Sequence, residues 1–468
     1  MRQVKKTPAL EPAIIVIFGI TGDLAGRKLL PALYHLLKDG LLHPRTVIVG
    51  VTRRHVTKEQ LLERVELCVN EVDQVCDPEA VRKMGESLHM HHMDVTSPSD
   101  YDDLRKLLDG LEDKHGVCMN RLYYLSIPPQ VYGPIVRFLG EHGLNASCQH
   151  GVASTRLLVE KPFGYDLVSA RQLIEETAQY FNEQQVFRID HYLAKETVQN
   201  ILMFRFANPI FIPIWDRTTV ESISISATEE LGIENRVNFY EQTGALRDLI
   251  QSHLLQLLGL VAMELPPLLE SDPIHKQKEA LLKNVLPVPP NKVIERAVRG
   301  QYTGYKQQVN NLKSITETYA SILVYIKNRR WKGVPVRLTT GKALKSKRTE
   351  ITLRFRADEN GEFNILTFRI QPEEGIELGL QVKKPGFAQA IETVVMDFSY
   401  EKTFDNHGHP DAYERVLVDA VKGDHTLFAT AEEVLAGWRI IQPVVEAWSK
   451  NGENLLAYRF GSAGPKTD

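Results

Sequence analysis

Along the first third of the chain, short runs made almost wholly of apolar residues alternate with longer stretches of helical periodicity. AIIVIF (Ala13–Phe18) and TVIVGV (46–51) are continuous β-branched runs, as strands buried on both faces require. NRLYYLSIPP (120–129), broken by two prolines, and TRLLVEKPFG (155–164) read as two further strands. Between them lie a glycine-rich stretch leading into a periodic segment up to Leu37, then TKEQLLERVELCVNEV, a helix by its spacing. FGYDLVSARQLIEETAQYF reads as the last helix of this part. Strands separated by helices predict a parallel sheet with right-handed crossovers, an α/β, doubly wound, Rossmann-type domain. Past residue 188 the pattern changes. VESISISAT (Val220–Thr228), YASILVYI (Tyr319–Ile326), EITLRFRA (350–357) and NILTFRIQ (364–371) alternate in several places between polar and apolar residues. That is the pattern of antiparallel strands with one solvated face. A long apolar helix, TGALRDLIQSHLLQLLGLVAME, lies among them, and helical segments return over 411–417 and 431–450. The expectation is two domains, residues 1–188 and 189–468, the second an α+β domain with a large, mostly antiparallel sheet.

The length of 468 residues agrees, since it exceeds what one hydrophobic core supports. Composition excludes several classes of partner. A formal charge of −3 gives no case for nucleic acid or an anionic membrane surface, and no apolar run is long enough to span a bilayer. The N-terminal MRQVKKTPALEP lacks the apolar stretch of a signal peptide. Cys68, Cys76, Cys118 and Cys148 are widely spaced without a C-x-x-C, which suits free thiols in a reducing cytoplasm.

Chemistry concentrates in a few segments. After the first strand, FGITGDLAGRK carries Gly19 and Gly22, which let the backbone turn tightly and approach a pyrophosphate at the following helix N-terminus. The spacing is not the usual G-x-G-x-x-G, so position in the alternating pattern carries the reading. Arg53 and Arg54 follow the second strand, where NAD-binding domains place a carboxylate against the ribose 2′-hydroxyl. A guanidinium there suits a 2′-phosphate, so NADP is favoured over NAD. EKPFG puts Lys161 at a strand's carboxyl end, with Pro162 a candidate cis proline. RIDHYLAKE (188–196) gathers Asp190, His191, Tyr192 and Lys195; read as a helix, it sets His191 and Lys195 on one face, a grip for a phosphate dianion.

In the long helix, Asp248 and His253 stand among apolar neighbours. Five apart, they fall about 140° apart around an α-helix and share no strict stripe. A lone helical histidine is more often a satisfied core residue, but with a carboxylate such as Asp190 orienting its ring it is a competent general base. Lys342 and Lys347 lie in the basic stretch TGKALKSKR, either an anion site or a surface loop. HMHHM (89–93) and HGH (407–409) have the histidine density of metal sites without a matching carboxylate or cysteine set, so no metal is expected. Walker A, G-x-S-x-G and H-E-x-x-H sequences are absent.

Taken together, GITGDLAGRKLLPAL, YYLSIPP, EKPFG, RIDHYLAKE, RFANPIFIPIWDR, GALRDLIQSHLLQLLGLVAME, RWKGVPV, TGKALK and DAYERVLVDAVKGDHTLF closely resemble the successive blocks of the glucose-6-phosphate dehydrogenase family. The resemblance implies oxidation of the C1 hydroxyl of D-glucose 6-phosphate, with hydride passing to NADP+, and release of 6-phospho-D-glucono-1,5-lactone. That is the entry step of the pentose phosphate pathway. It also implies roles for particular residues. His253 is the general base, oriented by Asp190. His191, Tyr192 and Lys195 hold the 6-phosphate, while Glu229 and Asp248 bond sugar hydroxyls. Lys342 and Lys347 close the substrate site, and Lys161 bridges coenzyme and substrate. Gly19, Thr21, Gly22, Asp23 and Leu24 form the coenzyme turn, with Arg53 on the 2′-phosphate and Asp94 and Val95 near the adenine. A homodimer or homotetramer paired through the antiparallel sheet is implied as well. Ile20, Ala194 and Ser252 depart from the family's usual residues without removing any of these groups. Two other readings stand beside this one: a glucose–fructose oxidoreductase-type enzyme, needing no phosphate grip, and a catalytically silent NADP-binding regulator.

Overall fold

The computed structural model describes residues 10–73, 75–146, 153–404, 410–450 and 452–466. The chain divides into two compact units. The first takes residues up to 164, then 171–194 and 410–431; the second takes 165–170, 195–409 and 432–468. A single boundary after residue 188 has no place for 410–431, which contributes a helix, Ala412–Lys422, and a short strand, Phe428–Ala429, to the first unit.

The first unit is built on β1 (Ala13–Phe18), β2 (Val47–Thr52), β3 (Leu88–His92), β4 (Asn120–Leu125), β5 (Thr155–Val159) and β6 (Val186–Ile189). They align in the order β3-β2-β1-β4-β5-β6, all parallel, with Phe428–Ala429 antiparallel at the β6 edge. This is the doubly wound dinucleotide-binding order, whose ligand crevice opens at the carboxyl ends of the strands. Every residue of β1, β2 and β4 is buried, which explains why β1 and β2 read as unbroken apolar runs. The HMHHM stretch, considered above as histidine-rich chain, supplies the edge strand β3. Among the described residues no group of three or more His, Cys, Asp or Glu side chains is placed to hold a metal, and His407–His409 lie outside them.

The second unit's ten-stranded sheet contains β7 (Val220–Thr228), β8 (Val285–Leu286), β9 (Ala297–Tyr302), β10 (Tyr319–Ile326), β11 (Pro335–Gly341), β12 (Arg348–Phe355), β13 (Ile365–Gln371), β14 (Gly375–Lys383) and β15 (Ile391–Ser399). The order is β15-β14-β13-β12-β7-β11-β10-β9, ending in Leu455–Tyr458, with β8 beside β10. Pairings are antiparallel except β7 with β11 and β9 with Leu455–Tyr458. Leu255–Ala262 is buried along its whole length. It packs with the helix Ser271–Asn284 and, through the buried Glu433, with the C-terminal helix Ala431–Lys450. Glu433 accepts from Gln256 at 3.1 Å, meets the His275 ring at 2.9 Å and pairs with the Lys278 ammonium at 3.0 Å. Among the described residues no helix is long and apolar enough to cross a membrane.

Two expectations need correction. The RIDHYLAKE segment is not helical: β6 ends at Ile189, residues 190–195 form turns, and the helix begins at Glu196. Asp190 causes the turn, because its carboxylate accepts the Tyr192 N–H at 3.0 Å and its carbonyl the Leu193 N–H at 3.0 Å. The cysteines are not all free. Cys68 and Cys76 are free thiols, but Cys118 is disulfide-bonded, so thiol chemistry no longer argues for a reducing compartment; Cys148 lies outside the described residues.

Candidate active site

At the carboxyl end of β1 the chain turns through Gly19, whose φ of 82° favours glycine. A Cβ there would lie 2.4 Å from the Ser126 carbonyl oxygen, and one on Gly22 would lie 3.0 Å from the Gly19 carbonyl oxygen. The turn is closed by Gly22 N–H to the Gly19 carbonyl at 2.8 Å and tied to β2 by Gly19 N–H to the Val51 carbonyl at 3.0 Å. Only bare backbone fits, and bare backbone is what a pyrophosphate approaches closely, so these residues suit a dinucleotide. Thr21 Oγ1 lies 3.3 Å from Thr52 Oγ1; Leu24 precedes the first helical turn; Asp23 pairs in solvent with Arg27 at 2.9 Å. Ile20, a departure noted above, is fully buried and packs over Gly50, where a Cβ would meet its Cδ1 at 2.5 Å. Arg53 and Arg54 are exposed beyond β2. Asp94 accepts from Thr96 through N–H and Oγ1 at 2.9 and 2.7 Å, and these bonds hold its carboxyl below the usual range. The neighbouring Val95 carbonyl accepts from Tyr101 at 2.8 Å.

At the ends of β5 and β6 the first unit gathers a second cluster. The Lys161–Pro162 bond is cis. Beside Lys161 is Glu160, which sequence reasoning passed over. Tyr124 donates to its carboxylate at 2.7 Å and Tyr132 to its carbonyl at 3.2 Å. The residue is only partly exposed and its carboxyl group is enclosed; that burial lifts its pKa from 4.5 to about 7, with the Asp190 carboxylate acting in the same direction. Asp190 and Tyr192 are buried, and the His191 ring stacks on Tyr413 at 6.3 Å and 14°. Asp190, His191 and Tyr192 thus come together on a turn held by its own hydrogen bonds.

In the second unit the long apolar segment is three helices. Val237–Ala245 is interrupted at Gly244 (φ 65°, ψ 175°), Leu246–Leu254 is a π-helix, and Leu255–Ala262 is α-helical. Buried Glu317 starts the new helix: its carboxylate accepts the Leu246 N–H at 3.0 Å and its carbonyl the Ala245 N–H at 2.9 Å. The π-helical register overturns the expected 140° separation. Its hydrogen bonds run from residue i to i+5, so five residues make a little over one turn and Asp248 and His253 point in more similar directions than on an α-helix. Both are buried, His253 completely.

Around them, Lys342 pairs with Glu229, and its ammonium lies 5.4 Å from the centre of the Tyr240 ring. Burial raises the Tyr240 hydroxyl well above its ordinary pKa, and the carboxylates of Asp248, Glu317 and Glu229 add to the rise. Asp248, Glu229, Lys342 and Tyr240 therefore form one compact polar group. Lys195 stands at the N-cap position of the helix Glu196–Ala207 and donates to Gln371, which donates in turn to Thr349 at 3.1 Å. Lys347 is exposed, with its backbone N–H on Glu230 at 3.3 Å. Glu317, Tyr240 and Gln371 were not singled out from sequence. For Glu317 no signal existed beyond an acidic residue in a polar loop.

The family comparisons fit this geometry. Residues 16–200 match the model described as "Glucose-6-phosphate dehydrogenase, NAD binding domain", and residues 202–468 match its C-terminal domain. The chain belongs to the glucose-6-phosphate dehydrogenase family. A glucose-6-phosphate 1-dehydrogenase of Chlamydia muridarum is 40% identical across 98% of this chain and 95% of its own length. That of Bacillus subtilis is 37% identical across 98% and 96%. A solved glucose-6-phosphate dehydrogenase in complex with glucose 6-phosphate superposes with a TM-score of 0.90 at 32% identity, covering 98% of this chain and 97% of the other. A Mycobacterium avium structure gives 0.83 at 34%, covering 97% and 96%.

Proposed function

We propose that the protein is a glucose-6-phosphate 1-dehydrogenase that oxidises the C1 hydroxyl of D-glucose 6-phosphate and releases 6-phospho-D-glucono-1,5-lactone. The reading is carried by fully buried His253, on the same π-helix as buried Asp248, within a chain that matches this family along nearly its whole length. Bound NADP+ supplies the hydride acceptor. Hydride leaves C1 only as charge builds on its oxygen, so a base must take the hydroxyl proton in that step, a contribution of about 10²–10⁴-fold. His253 takes that proton at a ring nitrogen, and Asp190 is its acidic partner in the reaction. Asp248 and Glu229 hold sugar hydroxyls, with Lys342 paired to Glu229. His191, Tyr192 and Lys195 grip the 6-phosphate, with Lys347 closing over the site. Anchoring the far end of the sugar turns binding energy into orientation of C1. Lys161 bonds both ligands. Gly19, Thr21, Gly22, Asp23 and Leu24 receive the pyrophosphate, Arg53 the 2′-phosphate, and Asp94 and Val95 border the adenine.

The reaction places the protein at the entry to the oxidative pentose phosphate pathway, and a charged sugar phosphate as substrate fits work in the cytoplasm. Homodimers or homotetramers form through the outer strands of the large sheet. Val394, Val395 and Met396 on β15, and Val382 on β14, expose apolar side chains there. The test is NADPH absorbance with glucose 6-phosphate, glucose, NADP+ and NAD+, using parent and His253→Asn proteins. Glucose 6-phosphate with NADP+ should support turnover. His253→Asn should lose at least a hundredfold in kcat with glucose 6-phosphate binding largely kept. Undiminished kcat in that variant refutes the assignment.

A further inference from the structure

Two histidines that the reaction does not use meet beyond the ends of β2 and β3. The strands are parallel neighbours with Thr52 opposite His92, and the chain leaves β2 through Arg53, Arg54 and His55. The His55 and His92 rings stack with centroids 4.5 Å apart and planes 8° from parallel. His92 Nε2 lies 3.0 Å from the Arg53 carbonyl oxygen. A carbonyl only accepts, so Nε2 carries a proton and donates, which ties the lower ring to the backbone of the residue assigned to the 2′-phosphate. Both histidines and both arginines are exposed. The face of the stack is therefore open to solvent rather than part of a core.

Position gives this pair a ligand. In doubly wound sheets the adenosine half of a dinucleotide lies outside the carboxyl ends of the strands, and the residues just after the second strand read the ribose 2′ position. An imidazole there has ring nitrogens that can donate to phosphate oxygens. We infer that the His55–His92 stack is a recognition element for the 2′-phosphate of NADP+: His55 contacts the phosphate, and His92 is a positioning residue that holds both His55 and the Arg53 backbone. This deepens the NADP reading and rests on it. The charged neighbours are Arg53 and Arg54 on the same loop, and Asp94, whose carboxyl feels Arg53 and is bonded to Thr96, at the end of β3.

The test is direct binding, by titration calorimetry, of 2′,5′-ADP and 5′-AMP, two fragments that differ only in the 2′-phosphate. Parent, His55→Ala, His92→Gln and Arg53→Ala proteins are compared. The parent and Arg53→Ala test the NADP reading: the parent should prefer 2′,5′-ADP, and Arg53→Ala should lose most of that preference. His55→Ala should weaken 2′,5′-ADP roughly tenfold or more, as expected on loss of one bond to a charged group, while changing 5′-AMP less than about twofold. His92→Gln keeps a donor for the Arg53 carbonyl but removes the ring, and should give an intermediate loss confined to 2′,5′-ADP. Both positions are exposed, so the urea midpoint should stay that of the parent and binding is read on folded protein. A parent with no preference for 2′,5′-ADP defeats the coenzyme reading itself. A preference that survives in both histidine variants, or equal losses for the two fragments, overturns the role assigned to the stack.

Discussion

Replacing Glu160 with glutamine should change stability in a way that only pH reveals. Burial holds this carboxyl group at a pKa of about 7 in the folded protein, against 4.5 as its ordinary value; Asp190 adds to the rise, while the Tyr124 hydrogen bond and Lys161 oppose it. A raised carboxyl pKa means that the native state binds the proton more tightly than the unfolded chain does. The stabilisation this gives is complete below pH 4.5 and is lost as pH rises through about 7. The loss runs at about 1.4 kcal/mol per pH unit, so the whole rise corresponds to about 3 kcal/mol. Glutamine has nearly the same shape, still accepts from Tyr124 and never ionises. Glu160→Gln should therefore depart from the parent's trend, with an offset that grows in its favour from pH 4.5 upward. That offset levels off above pH 7 at about 3 kcal/mol. Urea unfolding followed by circular dichroism at pH 5, 6, 7 and 8 measures the difference. A pH-independent offset, or a parent that gains on the variant between pH 5 and 8, refutes a buried carboxyl held neutral at this strand end.

Two further substitutions probe the second unit. Gly244→Ala should destabilise by on the order of 2–4 kcal/mol and cut kcat more than tenfold, because φ is 65° and the new Cβ would lie 2.5 Å from the Glu317 carboxylate that caps the π-helix. Urea titration and NADPH formation measure the two effects, and a variant within 0.5 kcal/mol of the parent sinks the capping argument. Glu433→Gln should cost about 3–5 kcal/mol, since it leaves the buried Lys278 ammonium facing a neutral amide; an unchanged urea midpoint would mean that the ion pair is not what holds these helices.

Much of the fold was legible because burial on two faces leaves a direct trace in sequence. Ala13–Phe18, Val220–Thr228 and Tyr319–Ile326 are strands with the bounds their apolar patterns indicate. Two of the strands that escaped notice carry weaker patterns. β3 is LHMHH, with only Leu88 buried, and β15 is exposed over most of its length, so neither shows a period-two contrast. β6 was hidden for another reason: VFRI is only four residues long and runs straight into a chemically conspicuous turn. The return of 410–431 to the first unit is equally silent, because a helix that packs at a distance in sequence has the same amphipathic pattern as one that packs nearby.

At the candidate site, residue types were legible and their geometry was not. Asp190, His191, Tyr192 and Lys195 stood out as a dense set of charged and aromatic groups, and helical spacing seemed to join His191 to Lys195. Asp190 instead spends its side chain on the Tyr192 N–H, a local bond that competes with helix formation and that no periodicity reports. The opposite error befell Asp248 and His253. Counted at 3.6 residues per turn they diverge, yet the segment winds with i to i+5 bonds and they point in more similar directions. The cause lies in tertiary structure: Gly244 breaks the preceding helix, and Glu317, 71 residues away from Leu246, caps the next one. A carboxylate so distant in sequence starts the π-helix that carries a buried aspartate and a buried histidine. The proposed base therefore depends for its placement on a residue remote from it along the chain, and Gly244→Ala is the substitution that disturbs that junction.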